Sequence, residues 1–209
     1  MLVPEPEDVE LWATSSAPPT YVPFGPLALR RVTLDDVPTA AAAVHRSLEQ
    51  LRPWMPWATD TYDEDGSREY VERSTAQWDD RTTFNYGLVD ASDAWLGGFG
   101  LMGRIGPGAL EIGYWVHSDH SGRGYATRAA AALTDVGLAL DGVERVEIHH
   151  DRDNLISGRI PARLGYVRLR EQPGPLDSTQ ASGVHVVWAM SRQEWPSSPG
   201  AELLAAVRA

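Results

Sequence analysis

The sequence contains no cysteine and no lysine, because all 18 basic residues among its 209 are arginine. Without cysteine, the chain cannot form disulfides, thiolate zinc sites or a thiolate nucleophile. Without lysine, it lacks a Walker-type phosphate ligand and an amine for a Schiff base or for pyridoxal phosphate. These absences exclude many covalent and cofactor-dependent mechanisms, and we expect no metal cofactor.

Long apolar runs and positive charge are also scarce. No stretch approaches the ~20 apolar residues that a membrane-spanning helix needs, and the acidic, proline-bearing residues 1–10 do not resemble an export signal. The 29 acidic residues against 18 basic ones give a net charge of −11, which repels nucleic-acid phosphates and anionic lipid. We therefore expect a cytoplasmic protein whose partners include neither nucleic acid nor membrane.

The composition changes along the chain and divides it into three parts. Residues 1–26 hold six prolines and four acidic residues, which predicts an extended arm. The aromatic residues of this arm indicate that it packs on the domain or on a second copy, so the sequence permits a homodimer. Residues 27–192 are long enough for one domain with one core, and residues 193–209 resemble a linker followed by a short alanine-rich helix.

Residues 27–192 alternate between strand and helix patterns. Strands are predicted at 27–33, 83–89, 95–104, 109–117, 145–149, after Gly165 and near 184–190. Helices are predicted after Asp35 and Asp36 to about Gln50, at 67–78, at 122–140 and after Asn154. The resulting order, βααβββαβαββ, contains seven strands and four helices.

A glycine-rich turn precedes the longest predicted helix, between His117 and Thr127. Glycines at 122 and 124 allow backbone N–H groups to converge, and the helix N-terminus behind them adds the positive end of its dipole. Such a turn fits a pyrophosphate, although it can also be purely structural. The Rossmann pattern fails because Thr127 stands where the third glycine is required, and the Walker pattern fails for want of lysine.

The turn Ser121-Gly122-Arg123-Gly124-Tyr125-Ala126 resembles the acyl-CoA loop of the GNAT superfamily of N-acetyltransferases. That loop has the pattern Gln/Arg-x-x-Gly-x-Gly/Ala, and Ser121 departs from its first position. Further along, Asn154-Leu155-Ile156-Ser157 and Arg163-Leu164-Gly165-Tyr166 resemble two other elements of the family. The loop from Leu51 to Ala58 resembles that of the RimJ/RimL-type branch, the ribosomal-protein N-terminal acetyltransferases, and the whole resemblance covers residues 27–192.

The resemblance implies a single-domain GNAT fold of the α/β (α+β) class, with a mixed, strongly twisted sheet of about seven strands flanked by helices. It also implies acetyl-CoA as co-substrate and a primary amine, on a small molecule or a protein N-terminus, as acceptor. Cofactor-binding residues are then expected in the strand before the turn, in the turn itself and at the next helix start. They are Trp115, Val116, Ser121, Gly122, Arg123, Gly124, Tyr125, Ala126, Thr127 and Asn154.

Two residues are candidates for proton transfer in a direct attack of the amine on the thioester. Glu111 is the candidate base, acting through water, because strand alternation turns it away from Ile112 and Tyr114; the alternative is a solvated strand carboxylate. Ser157 is the candidate acid by resemblance to the RimL-type branch, since the tyrosine of the wider family is replaced by Pro161. The alternative for Ser157 is a serine that bonds only to backbone.

Trp54 and Trp57 are candidates for the apolar wall of an acceptor site, with plain packing as the alternative. The acidic run from Asp60 to Asp80 is either a solvated helix face or a means of attracting a cationic amine. A second hypothesis for the whole chain is a degenerate family member that binds acyl-CoA as a sensor or serves as a partner domain.

Two neighbouring histidines, His149 and His150, suggest a metal cluster at first. Adjacent side chains on a strand point to opposite faces, however, and cannot share an ion without distortion. We therefore predict no metal site there.

Overall fold

The computed structural model describes residues 11–209, so the first ten residues of the predicted arm lie outside the described part. The strands are β1 (Tyr21–Phe24), β2 (Leu27–Arg31), β3 (Thr83–Asp90), β4 (Trp95–Met102), β5 (Ala109–Val116), β6 (Arg145–Asp151), β7 (Val167–Pro173) and β8 (Val184–Ser191). The helices are α1 (Val37–Leu51), α2 (Glu64–Asp79), α3 (Tyr125–Ala139), α4 (Leu155–Leu164) and α5 (Pro199–Arg208). None of these helices is long and apolar enough to cross a membrane.

The strands form one mixed sheet in the order β1-β2-β3-β4-β5-β6-β8-β7. Among the described strands, β5 and β6 are the parallel pair and the remaining neighbours are antiparallel. The sheet has eight strands rather than about seven because Tyr21–Phe24, within the predicted arm, pairs with β2. This strand contains Pro23 and lies at the edge of the sheet, where a missing N–H is tolerated.

Helices cover both faces of the sheet. Helices α1 and α2 pack on β3 and β4 on one face, while α3, α4 and α5 pack on the other. Helix α3 contains four consecutive alanines, 129–132, and none of them has exposed surface. A Cβ atom added at Gly137 would lie 3.1 Å from Leu101 and 3.2 Å from Val146. Small residues therefore allow α3 to approach the sheet closely, which confirms the helix expected from the sequence.

The described part of the arm packs on this same domain. The Trp12 amide donates to the carbonyl of Gly103 (2.7 Å), and the Tyr86 hydroxyl donates to the carbonyl of Pro19 (2.9 Å). At the other end of the chain, α5 packs on α3 and β1, and its Leu204 is buried. The described part of the arm and α5 thus both pack on this domain.

The pairing of β5 with β6 stops early and creates the opening in which the site lies. Ala109, Leu110 and Glu111 pair with β6, whereas β5 pairs with β4 as far as Val116. Beyond Glu111, the edge of β5 that faces β6 has no strand partner in the described chain. The two central strands therefore diverge as a wedge, and this wedge opens toward the start of α3.

Candidate active site

The glycine-rich turn between β5 and α3 presents its backbone amides to open space. Gly122 and Gly124 have φ of +76° and +73°, which glycine adopts without strain. A Cβ atom added at either position would meet nothing within 4 Å. The first hydrogen bond of α3 runs from the Arg128 amide to the Gly124 carbonyl (3.2 Å), and no group in residues 11–209 accepts from the amides of 122–127. This cradle of amides has the form of an anion site.

Arginines and a glutamine surround this cradle. Arg123 is exposed and donates to the carbonyl of Asp119 (3.2 Å), and Arg128 lies over the Tyr125 ring at 5.1 Å. Gln50 of α1 donates to the Val116 carbonyl (3.2 Å) and accepts from the Ser121 hydroxyl (2.9 Å). Gln50 could not be identified from the sequence, because it lies far from the turn along the chain and belongs to no motif.

A cleft of about 120 Å³ occupies the wedge and continues to the edge of the α1–α2 loop. Trp54, Met55 and Pro56 line one wall, while residues 175–181, between β7 and β8, contribute to another. These two loops are joined by a hydrogen bond from the Gln180 amide to the Pro53 carbonyl (3.1 Å). The cleft is therefore bordered by two connected loops beside the diverging strands.

The two candidate tryptophans lie in different environments. Trp54 lines the cleft, whereas Trp57 is 7% exposed and packs edge-on against Trp115 with ring centroids 6.4 Å apart. Trp115 is itself buried, so its approach to a ligand would be through its backbone. Trp57 is thus part of the core beneath the loop, and Trp54 is the tryptophan that a ligand in the cleft would contact.

Helix α4 brings Ser157 to the cleft. The side chain of Asn154 caps this helix by accepting from the Ser157 amide (3.1 Å). The Ser157 Oγ lies 3.1 Å from the Tyr114 hydroxyl, while Pro161 is buried inside the helix. Burial raises the pKa of Tyr114 well above its ordinary value, so this hydroxyl stays protonated. The sequence did not identify Tyr114 as a site residue, although strand alternation places it opposite to Glu111, on the face that α4 covers.

Glu111 lies on the floor of the cleft and is bound by Arg104, in the connection between β4 and β5. Arg104 donates from Nε to Oε2 (2.9 Å) and from Nη2 to Oε1 (2.5 Å). Glu111 is only 5% exposed, so it is not the solvated carboxylate considered above. Burial alone would raise its pKa, but the Arg104 guanidinium holds the pKa below the usual range. Glu111 is therefore ionised, with both oxygens engaged.

A second carboxylate, Glu147, lies beside Glu111 on the neighbouring strand. Its Oε1 accepts from Arg145 Nε (2.7 Å), and its Oε2 lies 2.7 Å from His149 Nε2. Burial would raise the pKa of Glu147, but the bonds from His149 and Arg145 lower it to about 2. His149 Nδ1 lies 3.6 Å from Glu111 Oε2. Carboxylates and an imidazole thus form a charged floor. Within residues 11–209, no group of three or more histidine, aspartate or glutamate side chains is arranged to hold a metal ion.

The domain model named acetyltransferase (GNAT) matches residues 27–167 of the sequence. The chain belongs to this family. The family expected from the motifs is therefore confirmed, and the matched segment includes the cradle, the floor and Ser157.

Curated relatives of this GNAT chain carry names of the same kind. "Probable N-acetyltransferase YjcK" of Bacillus subtilis (strain 168) is 28% identical over 120 residues, which are 56% of this chain and 61% of that protein. "Uncharacterized N-acetyltransferase YjdG" of the same organism is 32% identical over 73 residues, 34% of this chain and 44% of that one. The chain thus spans about half the length of these relatives.

Solved structures with a similar fold include ribosomal-protein acetyltransferases. Mycobacterium smegmatis RimJ in complex with CoA-disulfide has a TM-score of 0.76 at 22% identity, covering 92% of this chain and 95% of that chain. The ribosomal-protein-S5-alanine acetyltransferase of Vibrio fischeri has a TM-score of 0.75 at 20% identity, covering 85% and 99%. The expected mixed sheet flanked by helices is therefore confirmed as the fold of this chain.

Proposed function

We propose that this chain is an N-acetyltransferase that moves the acetyl group of acetyl-CoA to a primary amine by direct attack in a ternary complex. The observation that carries the proposal is the wedge between β5 and β6, which opens beside the amides of residues 122–127. Two solved proteins of similar fold support it, since RimJ was determined with CoA-disulfide and the microcin C7 self-immunity acetyltransferase MccE with acetyl-CoA and AMP.

The cradle suits the diphosphate of CoA. Its amides and the positive end of α3 would bind the anion, and Arg123 adds a guanidinium that can contact two phosphate oxygens. The amides of the pantetheine arm would pair with the open edge of β5 at Trp115 and Val116, as an added strand does. Because the contribution of the turn is mainly backbone, Ser121 in place of the usual glutamine or arginine changes only a side-chain contact.

The reaction itself is an acyl transfer inside the wedge. The amine nitrogen bonds to the acetyl carbonyl carbon, the carbon–sulfur bond breaks, and CoA departs as a thiolate. One proton must leave the nitrogen, and one must reach the sulfur. Holding both substrates in line lowers the barrier by up to ~7–11 kcal/mol in favourable cases. No covalent enzyme intermediate is needed, in keeping with the lack of cysteine and lysine.

The two proton transfers are assigned to opposite faces of the wedge. Side chains alternate along β5, so Glu111 points to the α1–α2 face, while Tyr114 points to α4 and contacts Ser157. We assign the Ser157 hydroxyl as the donor to the departing thiolate. The amine loses its proton on the opposite face of the sheet, where Glu111, the predicted base, lies.

A protein N-terminus is the acceptor that similar structures favour, with small-molecule amines as the alternative. The similar Salmonella typhimurium acetyltransferase modifies the N-terminal serine of ribosomal protein L7/L12. In this chain, Trp54 and its neighbours form an apolar wall beside the cleft. The acidic run from Asp60 to Asp80 would attract a cationic amine.

The test combines binding with turnover. Thermal shift with acetyl-CoA measures binding, and thiol release with a panel of amines, including peptides that begin with serine or alanine, measures transfer. An acetylated product identified by mass supports the proposal and names the acceptor class. Binding without release from any amine would favour the acyl-CoA sensor instead. If acetyl-CoA does not bind, the assignment of the cradle and wedge is wrong.

A further inference from the structure

The adjacent histidines His149 and His150 on β6 differ in how their ring nitrogens are hydrogen-bonded. His150 Nε2 accepts from the indole Nε1 of Trp188 (3.0 Å), and Nδ1 lies 2.7 Å from the carbonyl of Asp151. An indole N–H can only donate and a carbonyl can only accept. Both nitrogens of His150 are therefore engaged, and its tautomer is fixed.

His149 keeps one nitrogen available. Its Nε2 lies 2.7 Å from Glu147 Oε2, and a carboxylate with a pKa lowered to about 2 is ionised and can only accept. The proton of the neutral imidazole is therefore on Nε2. Nδ1 carries the lone pair and lies 3.6 Å from Glu111 Oε2, beyond hydrogen-bond distance. His149 lines the cleft in which the acceptor amine is expected.

Glu111 is less suited than His149 to accept a proton. Each of its carboxylate oxygens already accepts from the Arg104 guanidinium, at 2.9 and 2.5 Å. A carboxylate in such a bidentate pair is stabilised in its charged form. Protonating Glu111 would break this pair in a buried place, whereas protonating His149 would add a cation beside two anions.

We propose that Nδ1 of His149 is the atom that takes the proton from the attacking amine, that Glu147 orients the imidazole, and that Glu111 stabilises the imidazolium. The inference rests on the proposed acetyl transfer. As the carbon–nitrogen bond forms, the N–H bond breaks and its electron pair stays on nitrogen, while the proton moves to Nδ1. The proton later passes to solvent. The arrangement follows the logic of a base held by a carboxylate.

Other charged groups face this imidazole and enter its pH dependence. Arg145 donates to Glu147 from the same strand, and Arg170 of β7 lies 4.0 Å from Glu147. Arg104 approaches from the β4–β5 connection, and His185 of β8 also lines the cleft. Burial lowers the pKa of His185, so this imidazole is the nearest rival as proton acceptor.

The first test reads the tautomer in the protein without substrate. Nitrogen-15 NMR of histidine-labelled protein, with the His149 signals identified from the His149→Gln spectrum, should show that the neutral ring carries hydrogen on Nε2 and has a bare Nδ1. Hydrogen on Nδ1 of the neutral ring would overturn the assignment. This measurement needs no turnover, so it does not depend on the identity of the acceptor.

The second test measures turnover and binding separately. His149→Gln should lower kcat by about 100-fold or more, the usual range for a general base, and leave the Kd for acetyl-CoA within about twofold. The exposed His45 of α1 provides a matched control, because His45→Gln makes the same change outside the site. In His149→Ala, added imidazole should restore part of the turnover, which a merely structural role would not allow.

The outcomes distinguish the two proposals. If wild-type protein releases thiol but His149→Gln keeps kcat within about threefold, the inference alone is wrong. The same holds if His185→Gln, rather than His149→Gln, removes turnover. If wild-type protein releases no thiol with any amine, the proposed function fails and the inference fails with it. Glu147→Gln should lower kcat with little change in KM for acetyl-CoA, since it acts through His149.

Discussion

The two ends of the wedge offer different kinds of binding groups. The cradle consists of backbone amides of residues 122–127 with no acceptor in the described chain, and we propose that an anion binds them. The floor consists of side chains, above all Glu111, Glu147 and His149, that are already bonded to each other or to arginines. Under the proposed function, binding at the cradle would therefore depend on open space and backbone shape, whereas chemistry at the floor would depend on each individual side chain.

The largest expected effect comes from filling the cradle with negative charge. Gly124→Glu places a carboxylate where phosphate is expected, and it adds strain because Gly124 has φ of +73°. We expect acetyl-CoA affinity to fall at least ~100-fold, since phosphate and carboxylate would compete for the same amides. Isothermal titration with acetyl-CoA provides the measurement.

Gly106→Glu provides the control for strain at the cradle. Gly106 also has positive φ, +98°, and open space at its Cβ position, but it lies in the β4–β5 turn. It should therefore carry a similar folding cost while acetyl-CoA still binds. Equal loss of affinity in both variants would show that backbone strain, and not the anion site, is responsible.

A smaller effect is expected at the wall between the two ends. Ser157→Ala should lower kcat by about 10- to 100-fold, because the departing thiolate loses its proton donor. Acetyl-CoA affinity should change little, since the cradle is untouched. Tyr114→Phe, which removes the hydroxyl 3.1 Å from Ser157 Oγ, should have a weaker effect of the same kind. Unchanged turnover in Ser157→Ala would assign the proton donor elsewhere.

The smallest effect concerns the stability that the floor contributes. The pKa of Glu147 is lowered from 4.5 to about 2 by its partners. Its ionised form therefore stabilises the fold above pH 4.5, and this contribution is lost as the pH falls toward 2. Glu147→Gln should reduce the free energy of unfolding at pH 7 by about 2 kcal/mol, as expected for a charged hydrogen bond.

Denaturant unfolding at several pH values checks this prediction. The difference between wild type and Glu147→Gln should shrink between pH 4.5 and pH 2, since both then carry an uncharged side chain. Glu72→Gln on the exposed side of α2 is the control and should show no such convergence. A constant difference at all pH values would mean that packing, and not ionisation, accounts for the loss.

The cradle could be predicted from the sequence because it is local. Two glycines next to the start of a long amphipathic helix define its backbone within one short segment, and strand alternation places Glu111 on the α1–α2 side of β5. The edge strand Tyr21–Phe24 was missed because Pro23 within it and the prolines around it argue against any strand. Proline is excluded from the central strands of a sheet but is tolerated in an edge strand such as β1.

The floor could not be predicted, because it is assembled from separate strands. Nothing in the sequence indicates that Arg104 reaches Glu111 or that His149 lies between two carboxylates. Strand alternation predicts only that His149 and His150 face opposite sides of the sheet. Trp54 and Trp57 show the same limit, since one loop places one ring in the cleft and the other in the core. Such choices are made by tertiary packing.

The packing of α5 against α3 and β1 has a practical consequence for shortened versions of this protein. A Cβ atom added at Gly25 would lie 3.0 Å from Val207 of α5, and Trp195 donates to Asp135 of α3 (3.0 Å). Removing α5 would take this cover away from α3 and expose the apolar surface against which Leu204 is buried. Since the cradle lies at the beginning of that same helix, removing α5 would also weaken the support of the cradle.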